Sequence, residues 1–292
     1  MSYAKHQSFY LKSNWINKGI KAIIADPLIF TNKDNFLKIG IGKNMFFSLK
    51  YWLEALNIVK FNNGVGELTD FGHYINRCDL SCNEAKTLLL MHYFLTLNKP
   101  YNDIESSTGF FWFFNINNNS NTRKVDFVND LVKWDTSTFH RSTSEKTIEK
   151  DLDCLLLTYT KSEKAHPEDK NTSVLSKLKL IEKENDLIVR LPLSRTLLDK
   201  DVLFFLILRQ SEFLQENDIT FLSIYDLLEG EMSPGKLLHL SRIDLIEILE
   251  EMINDGYPFQ IVRTNNLDTI AVSSSDNSNL LLQDMLEKCG AK

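Results

Sequence analysis

Residues 43–59, KNMFFSLKYWLEALNIV, set Met45, Leu49, Trp52, Leu53 and Leu56 at spacings of three and four. That period lines the five side chains along one face of a helix from about Lys43 to Val59, and the face needs a core to receive it. The next stretch, VKFNNGVGELTDFGHYI, separates short apolar runs by Asn62, Asn63, Gly64 and Gly66. Turn formers between apolar runs read as a β-hairpin. Thr69 then stands where an N-cap would open another helix.

A helix with one buried face followed at once by a hairpin is the element order of a winged-helix module, and later segments resemble it. KVDFVNDLVKW and TSEKTIEKDLDCLLLTY, within 124–158, read as two amphipathic helices. Ser142 or Ser144 would cap the second, and Ile148, Leu152, Leu155 and Tyr159 would face its core. SEKTIEKDL resembles the second helix of winged-helix repressors of the sugar-operon type. Its polar face, however, carries Glu145, Glu149, Asp151 and Asp153 beside Lys146 and Lys150. Carboxylates repel phosphates, so this module reads as structural or protein-binding. Residues 221–272 repeat the order: FLSIYDLLEG and PGKLLHL as helices, and SRIDLIEILEEMINDG as a helix capped by Ser241 with Asp244 at its third position. FQIVRTNNLDTIAV follows as a hairpin turning at Asn265-Asn266. NEAKTLLLMHYFLTL is a helix apolar almost all round, whereas GFFWFFN at 109–115 suits a buried strand or a helix equally. NNNSNT at 117–122 reads as a loop. The prediction is a mainly α chain with short β-hairpins, an α+β fold of multiple winged-helix-turn-helix-like units. Its expected divisions are a basic winged-helix-like region at 1–80, a helical middle at 81–163 and a helical region at 164–292. The last contains the unit at 221–272, and the polar stretch 161–173 marks the preceding boundary.

Charge is unevenly distributed. The formal net charge is −6, yet residues 1–60 hold nine lysines against three acidic residues. Residues 141–292 hold 18 basic and 27 acidic residues. A basic region can meet phosphate and an acidic body a basic protein. GIGKN, which leads into the first helix, lacks both the spacer of a phosphate-binding GxxxxGK[ST] loop and its Ser or Thr. A simpler anion site remains, because the first N–H groups of a helix have no internal partners and carry positive dipole. Gly42 would allow close approach, with Lys43 and Asn44 as phosphate or base contacts. Phe47 and Lys50 share the outer face, and Lys38, Lys12 and Lys18 would line the approach. Phe9, Tyr10 and Trp15 interleave with these lysines, a pattern that suits nucleic acid as well as a core.

Signals for catalysis are sparse. The six histidines are scattered without metal-ligand spacing. Pro167-Glu168-Asp169 followed by Lys170 looks like a fragment of a metal-dependent nuclease site. Cys78 and Cys82 form CxxxC with no second pair, so all four cysteines are expected as reduced thiols. No apolar run is long enough to span a membrane, and no secretory leader is read, so a cytoplasmic location without membrane partners is expected.

HQSFYLKSNWINKG, LKIGIGKNMFFSLKYWLEALNIV, ELTDFGHYI, TLLLMHYFL, WFFNI, EKDLDCLLLTY and PEDKNTSVLSKLKLI follow one another along nearly the whole chain. In this order they resemble the SspB-like family of bacterial DNA phosphorothioation and phage-defence systems. The most specific block is GxGKNM…YWLxAxxIV. Asn171-Thr172-Ser173 departs from the Cys- or Ser-Pro expected after the acidic pair. The resemblance implies a DNA-binding component that nicks one strand, or supports the nick, so that sulfur can replace a phosphate oxygen. It implies an ATPase and a reductase-like sulfur-transfer protein as partners. A homodimer is one expected assembly, and Mg2+ is the expected cofactor if the protein is itself the nickase. It supplies no catalytic residue. A non-enzymatic adaptor and a winged-helix transcriptional regulator are the competing readings.

Overall fold

The computed structural model describes residues 3–97, 108–140, 142–160, 172–216, 222–264, 267–272 and 277–289. The chain opens with α1 (Trp15–Ala25), α2 (Phe36–Ile39) and α3 (Lys43–Ala55), then the hairpin β1 (Val59–Asn62) and β2 (Val65–Leu68), then α4 (Asp70–Cys78). Phe46, Leu49, Trp52 and Leu53 turn inward from α3. Each fully buried side chain of the Leu or Phe class stabilises the fold by roughly 1.5–3 kcal/mol. Phe46, rather than Met45, is the fully buried residue of the first turn. The helix ends at Ala55, short of the expected Val59, because Asn57 turns the chain at φ +53° and Val59 starts a strand. Asn63 and Gly64 both have positive φ, as a two-residue hairpin turn requires. Thr69 caps α4, its hydroxyl accepting from Gly72 N–H at 3.0 Å.

The middle of the chain holds α5 (Ala85–Thr96), α6 (Thr108–Phe111), β3 (Asn121–Arg123), α7 (Lys124–Phe139), α8 (Glu145–Tyr159), β4 (Ile181–Glu184) and β5 (Leu187–Arg190). The last part holds α9 (Lys200–Glu216), β6 (Leu222–Ser223), α10 (Ile224–Glu229), α11 (Pro234–Leu238), α12 (Arg242–Asn254), β7 (Phe259–Thr264), β8 (Leu267–Val272) and α13 (Ser278–Glu287). The architecture is α+β, helices around small antiparallel sheets. Its two three-stranded sheets share one topology, with orders β3-β5-β4 and β6-β8-β7. In each, the strand before two or more helices pairs with the second strand of the hairpin after them. A single bond, Gly66 N–H to Pro27 O at 2.8 Å, links the equivalent segments of the first unit.

Two short strands were hidden by composition. Asn121–Arg123, within or next to the expected loop, pairs with β5, and Leu222–Ser223, expected as helix, pairs with β8. Pairing with a distant strand overrides local propensity. GFFWFFN resolves as α6 running into a π-helical turn at Trp112–Ile116. Such a turn leaves carbonyls without partners, and cations supply them. Lys236 Nζ donates to Asn115 O at 2.9 Å, and Arg190 donates to Asn117 O and Phe113 O.

Buried apolar residues from Tyr3 to Leu286 form one cluster. α5 runs through it, which accounts for its apolar circumference. Phe94 meets Phe71 of α4, Tyr93 meets Phe205 of α9, and His92 bonds Tyr159 of α8. The C-terminal α13 returns to the first unit. Arg77 donates to Leu286 O at 2.7 Å, and Cys289 forms a disulfide with Cys78, 211 residues away. These two cysteines are therefore not the expected thiols: the packing of α13 brings their Cα atoms to 5.3 Å, within bridging range. Cys82 and Cys154 are free and buried, and burial raises both thiols, Cys82 to about 12.

Candidate nucleic-acid interface

The start of α3 is built by two glycines with different tasks. Gly40 ends α2 at φ +69°, a left-handed conformation in which a side chain is strained, although a Cβ there would meet nothing within 4 Å. Gly42 is extended, and its added Cβ would meet only Met45, at 3.7 Å. Gly42 is therefore not required by packing. As N-cap it offers no side-chain acceptor to α3, whose first backbone bond in the helical direction is Phe46 N–H to Gly42 O. The N–H groups of Lys43, Asn44 and Met45 point out of the helix end without intrahelical acceptors. Lys43 and Asn44 are exposed beside them, so an uncapped positive dipole and a lysine share one spot.

Further along the same face, Phe47 is 39% exposed, with its ring edge-on to buried Phe46. Lys50 is half-buried, and its ammonium lies 4.6 Å from the Phe61 ring centroid on β1. That cation–π contact fixes the side chain against the hairpin. Gly42, Lys43, Asn44, Phe47 and Lys50 thus form one strip. Lys38 lies elsewhere: with Lys21 it lines a cavity between α1 and α2, and its ammonium is 4.0 Å from Asp26. Lys18 is half-buried on α1, and Lys12, before α1, reaches to 5.9 Å from the Tyr10 ring.

The corresponding helices of the other units carry acid. On α8, Glu149 and Asp153 both pair with Lys124, at 2.9 and 2.8 Å. Asp151, expected on that polar face, is fully buried. It accepts from Ala4 N–H, His6 Nε2 and Gly109 N–H. His6 takes Ser8 N–H at Nδ1 and so donates from Nε2. Positions 6 and 151 are too distant in sequence for any local pattern to have linked them. On α12, Glu247 and Glu251 pair with Arg195, Glu251 and Asp255 border Lys200, and Glu250 pairs with Arg263. Its first residue, Arg242, pairs with Asp268 at 2.9 Å.

Among the described residues no group of three or more His, Cys, Asp or Glu side chains could hold a metal ion. Pro167, Glu168, Asp169 and Lys170 lie outside the described residues. No described helix is long and apolar enough to cross a membrane.

Two solved structures share the fold over 98% of this chain and 88% of theirs, each at 19% identity. One is a crystal structure of SspB, with a TM-score of 0.81, and the other a magnesium-ion-bound crystal structure of SspB, at 0.82. No curated protein matches the sequence. The fold is SspB-like, and a family model described as "Protein of unknown function (DUF4007)" matches residues 3–289: the chain belongs to the DUF4007 family.

Proposed function

We propose that this protein is the DNA-binding component of a bacterial DNA phosphorothioation system active in phage defence, and that it introduces or supports the single-strand nick at which sulfur enters the backbone. The observation that carries this reading is the uncapped start of α3, where exposed Lys43 and Asn44 flank free N–H groups in the basic part of a chain with an SspB-like fold. Three winged-helix-like units would make up the fold, the first being the DNA reader, within divisions near 1–80, 81–163 and 164–292. Lys43 and Asn44 contact phosphate or a base edge, and Phe47 and Lys50 extend the contact along the helix. Lys12, Lys18 and Lys38 add long-range attraction. An ATPase and a sulfur-transfer protein are the partners by the same reading, the cytoplasm is the compartment, and a homodimer is one assembly to test. Mg2+ would be the ion if the protein is itself the nickase, and no described group of three or more His, Cys, Asp or Glu side chains is placed to hold it.

Binding of labelled duplex DNA is measured across a salt series, alongside nicking of supercoiled plasmid with a divalent-metal titration. Wild type binds with steep salt dependence, and Lys43→Glu/Lys50→Glu weakens binding and flattens the slope by about two. A double variant that binds like wild type overturns the assignment. The acidic C-terminal half favours one second reading, a non-enzymatic adaptor that docks a basic protein. DNA binding without nicking in any metal, by highly purified protein, selects it.

A further inference from the structure

α1 buries Trp15, Ile16, Ile20 and Ile23, which satisfies its core face. Yet Ile24 is 56% exposed, Leu28 just after the helix is 49% exposed, and Leu37 on α2 is 73% exposed. Three large aliphatic side chains left in water within fourteen residues are more than the fold needs, and residues next to them in sequence, Ala25, Ile29 and Lys38, line a cavity of about 380 Å3. Ala22, Ala25, Ile29 and Ile39 give the cavity apolar walls, and Lys21 and Lys38 give it a cationic rim. Its single acid, Asp26, is already engaged: its carboxylate accepts Leu28 N–H at 3.0 Å and faces Lys38. The net field at the rim is therefore positive.

We propose that the α1–α2 groove is a protein-docking site for an acidic amphipathic helix of a partner protein. The partner's apolar side chains enter the cavity and pack on Ile24, Leu28 and Leu37, while its carboxylates meet Lys21 and Lys38. This is the helix-in-groove mode, with apolar anchors one turn apart and charge complementarity setting the orientation. Duplex DNA fits poorly, because aliphatic side chains gain little against phosphates. A second copy of this chain fits poorly too. On the acidic helices it could offer, α8 and α12, the carboxylates of Glu149, Asp153, Glu247, Glu250 and Glu251 are held by Lys124, Arg195, Lys200 and Arg263 of their own chain. A flat anionic membrane would leave the concave part of the site unfilled. Lys38 is shared with the long-range attraction proposed for DNA. The α3 contacts and the apolar anchors Ile24, Leu28 and Leu37 are not shared, so the inference does not rest on DNA binding through α3.

The test uses the full-length protein and two fluorescent amphipathic peptides of about four helical turns. They share one Leu/Ile face, and the opposite face is all Glu in one peptide and all Lys in the other. By anisotropy, the Glu peptide binds at least about tenfold tighter than the Lys peptide. Ile24→Asp/Leu37→Asp lowers its affinity by about tenfold or more, and Lys21→Glu/Lys38→Glu inverts the preference. All four positions are exposed, so the fold is expected to survive, and circular dichroism checks this. Absence of binding, equal binding of both peptides, or unchanged binding by the variants overturns the proposal. So does capture by anionic vesicles alone, loss of DNA binding in the Asp variant, or self-association of wild type that the Asp variant abolishes.

Discussion

α3 and α12 occupy equivalent places in two units, each following a short helix and preceding a hairpin, yet their starts are finished in opposite ways. α12 begins at Ser241, whose hydroxyl accepts Asp244 N–H at 3.1 Å and donates to the Asp244 carboxylate. Its first residue, Arg242, is paired with Asp268, and the glutamates of its outer face are matched by Arg195, Lys200 and Arg263. α3 begins at a glycine with no capping side chain, and its first residue is an exposed lysine. The same topology can therefore close a helix end to ligands or leave it available. The difference lies in two residues at the start and in the charge of the neighbours.

The most severe disturbance is to cut the covalent tie between α4 and the segment after α13. Cys78–Cys289 closes a loop of more than 200 residues. Chain entropy credits such a link with up to about 5 kcal/mol, and about 3–5 is expected here. Urea unfolding with and without dithiothreitol reads this loss. Cys289→Ser should match the reduced wild type and ignore the reductant. Equal stability of the oxidised and reduced protein would show that Arg77 and the apolar face of α13 hold the joint unaided.

The next disturbance acts through protons. His92 of α5 and His239, just after α11, flank Phe114 of the π-helical turn. Burial lowers His92 to about 4; burial, then the charge of Arg190, lowers His239 to about 3. His92 is locked as the tautomer that donates to Leu237 O and accepts from Tyr159. Both rings are neutral in the fold, whereas the unfolded chain takes up protons from about pH 6.5 downward. Their contribution is thus fully present above pH 6.5 and is lost as pH falls toward 4 and 3. Between pH 7 and 5 each should cost roughly 2 kcal/mol. Unfolding midpoints at the two pH values measure it, and His92→Gln should remove about half of the difference. A pH-independent wild type would mean that these rings are already charged or solvated.

A direct test of the comparison reverses one charge in each helix. Lys43→Glu should weaken duplex binding by about tenfold or more at moderate salt and reduce the salt slope by about one. Arg242→Glu, at the matching position, should change it by less than about twofold, because its charge is already spent on Asp268. Equal losses in both would mean that the ordering of the units, rather than the open start of α3, sets the interface.

What could be read from the sequence follows the range of the interactions involved. The core face of α3, the Asn63-Gly64 turn and the caps Thr69, Ser144 and Ser241 depend on residues a few positions apart, and they appear where expected. The SspB-like fold was legible through the resemblance, which needs the whole order of blocks. Strands β3 and β6 were not legible, because runs of two or three residues become strands only by pairing with partners about fifty residues away or more. The burial of Asp151 by His6, the cations on the π turn and the Cys78–Cys289 bridge join positions 145, 77, 121 and 211 residues apart. At the candidate interface the helical period gave the strip from Lys43 to Lys50. It gave no sign that Lys38 faces a separate cavity, since that depends on how α2 folds back on α1.

The smallest effect is the most discriminating. Gly42 leaves room for a side chain, because the only neighbour of an added Cβ is the flexible Met45 at 3.7 Å. Gly42→Ser should place a hydroxyl where Ser241 has one, and cap the N–H of Asn44 or Met45. A serine cap is worth a few tenths of a kcal/mol over glycine, so stability should rise by about that amount in urea unfolding. The same hydroxyl would occupy the donors proposed for phosphate, and DNA affinity should fall about two- to threefold. Stability and binding would then move in opposite directions from one substitution that removes no charge. If Gly42→Ser is more stable and binds DNA as tightly as wild type, the free N–H groups are not part of the contact. Lys43 would then act only as a point charge, and the openness of α3 would reduce to its lysines.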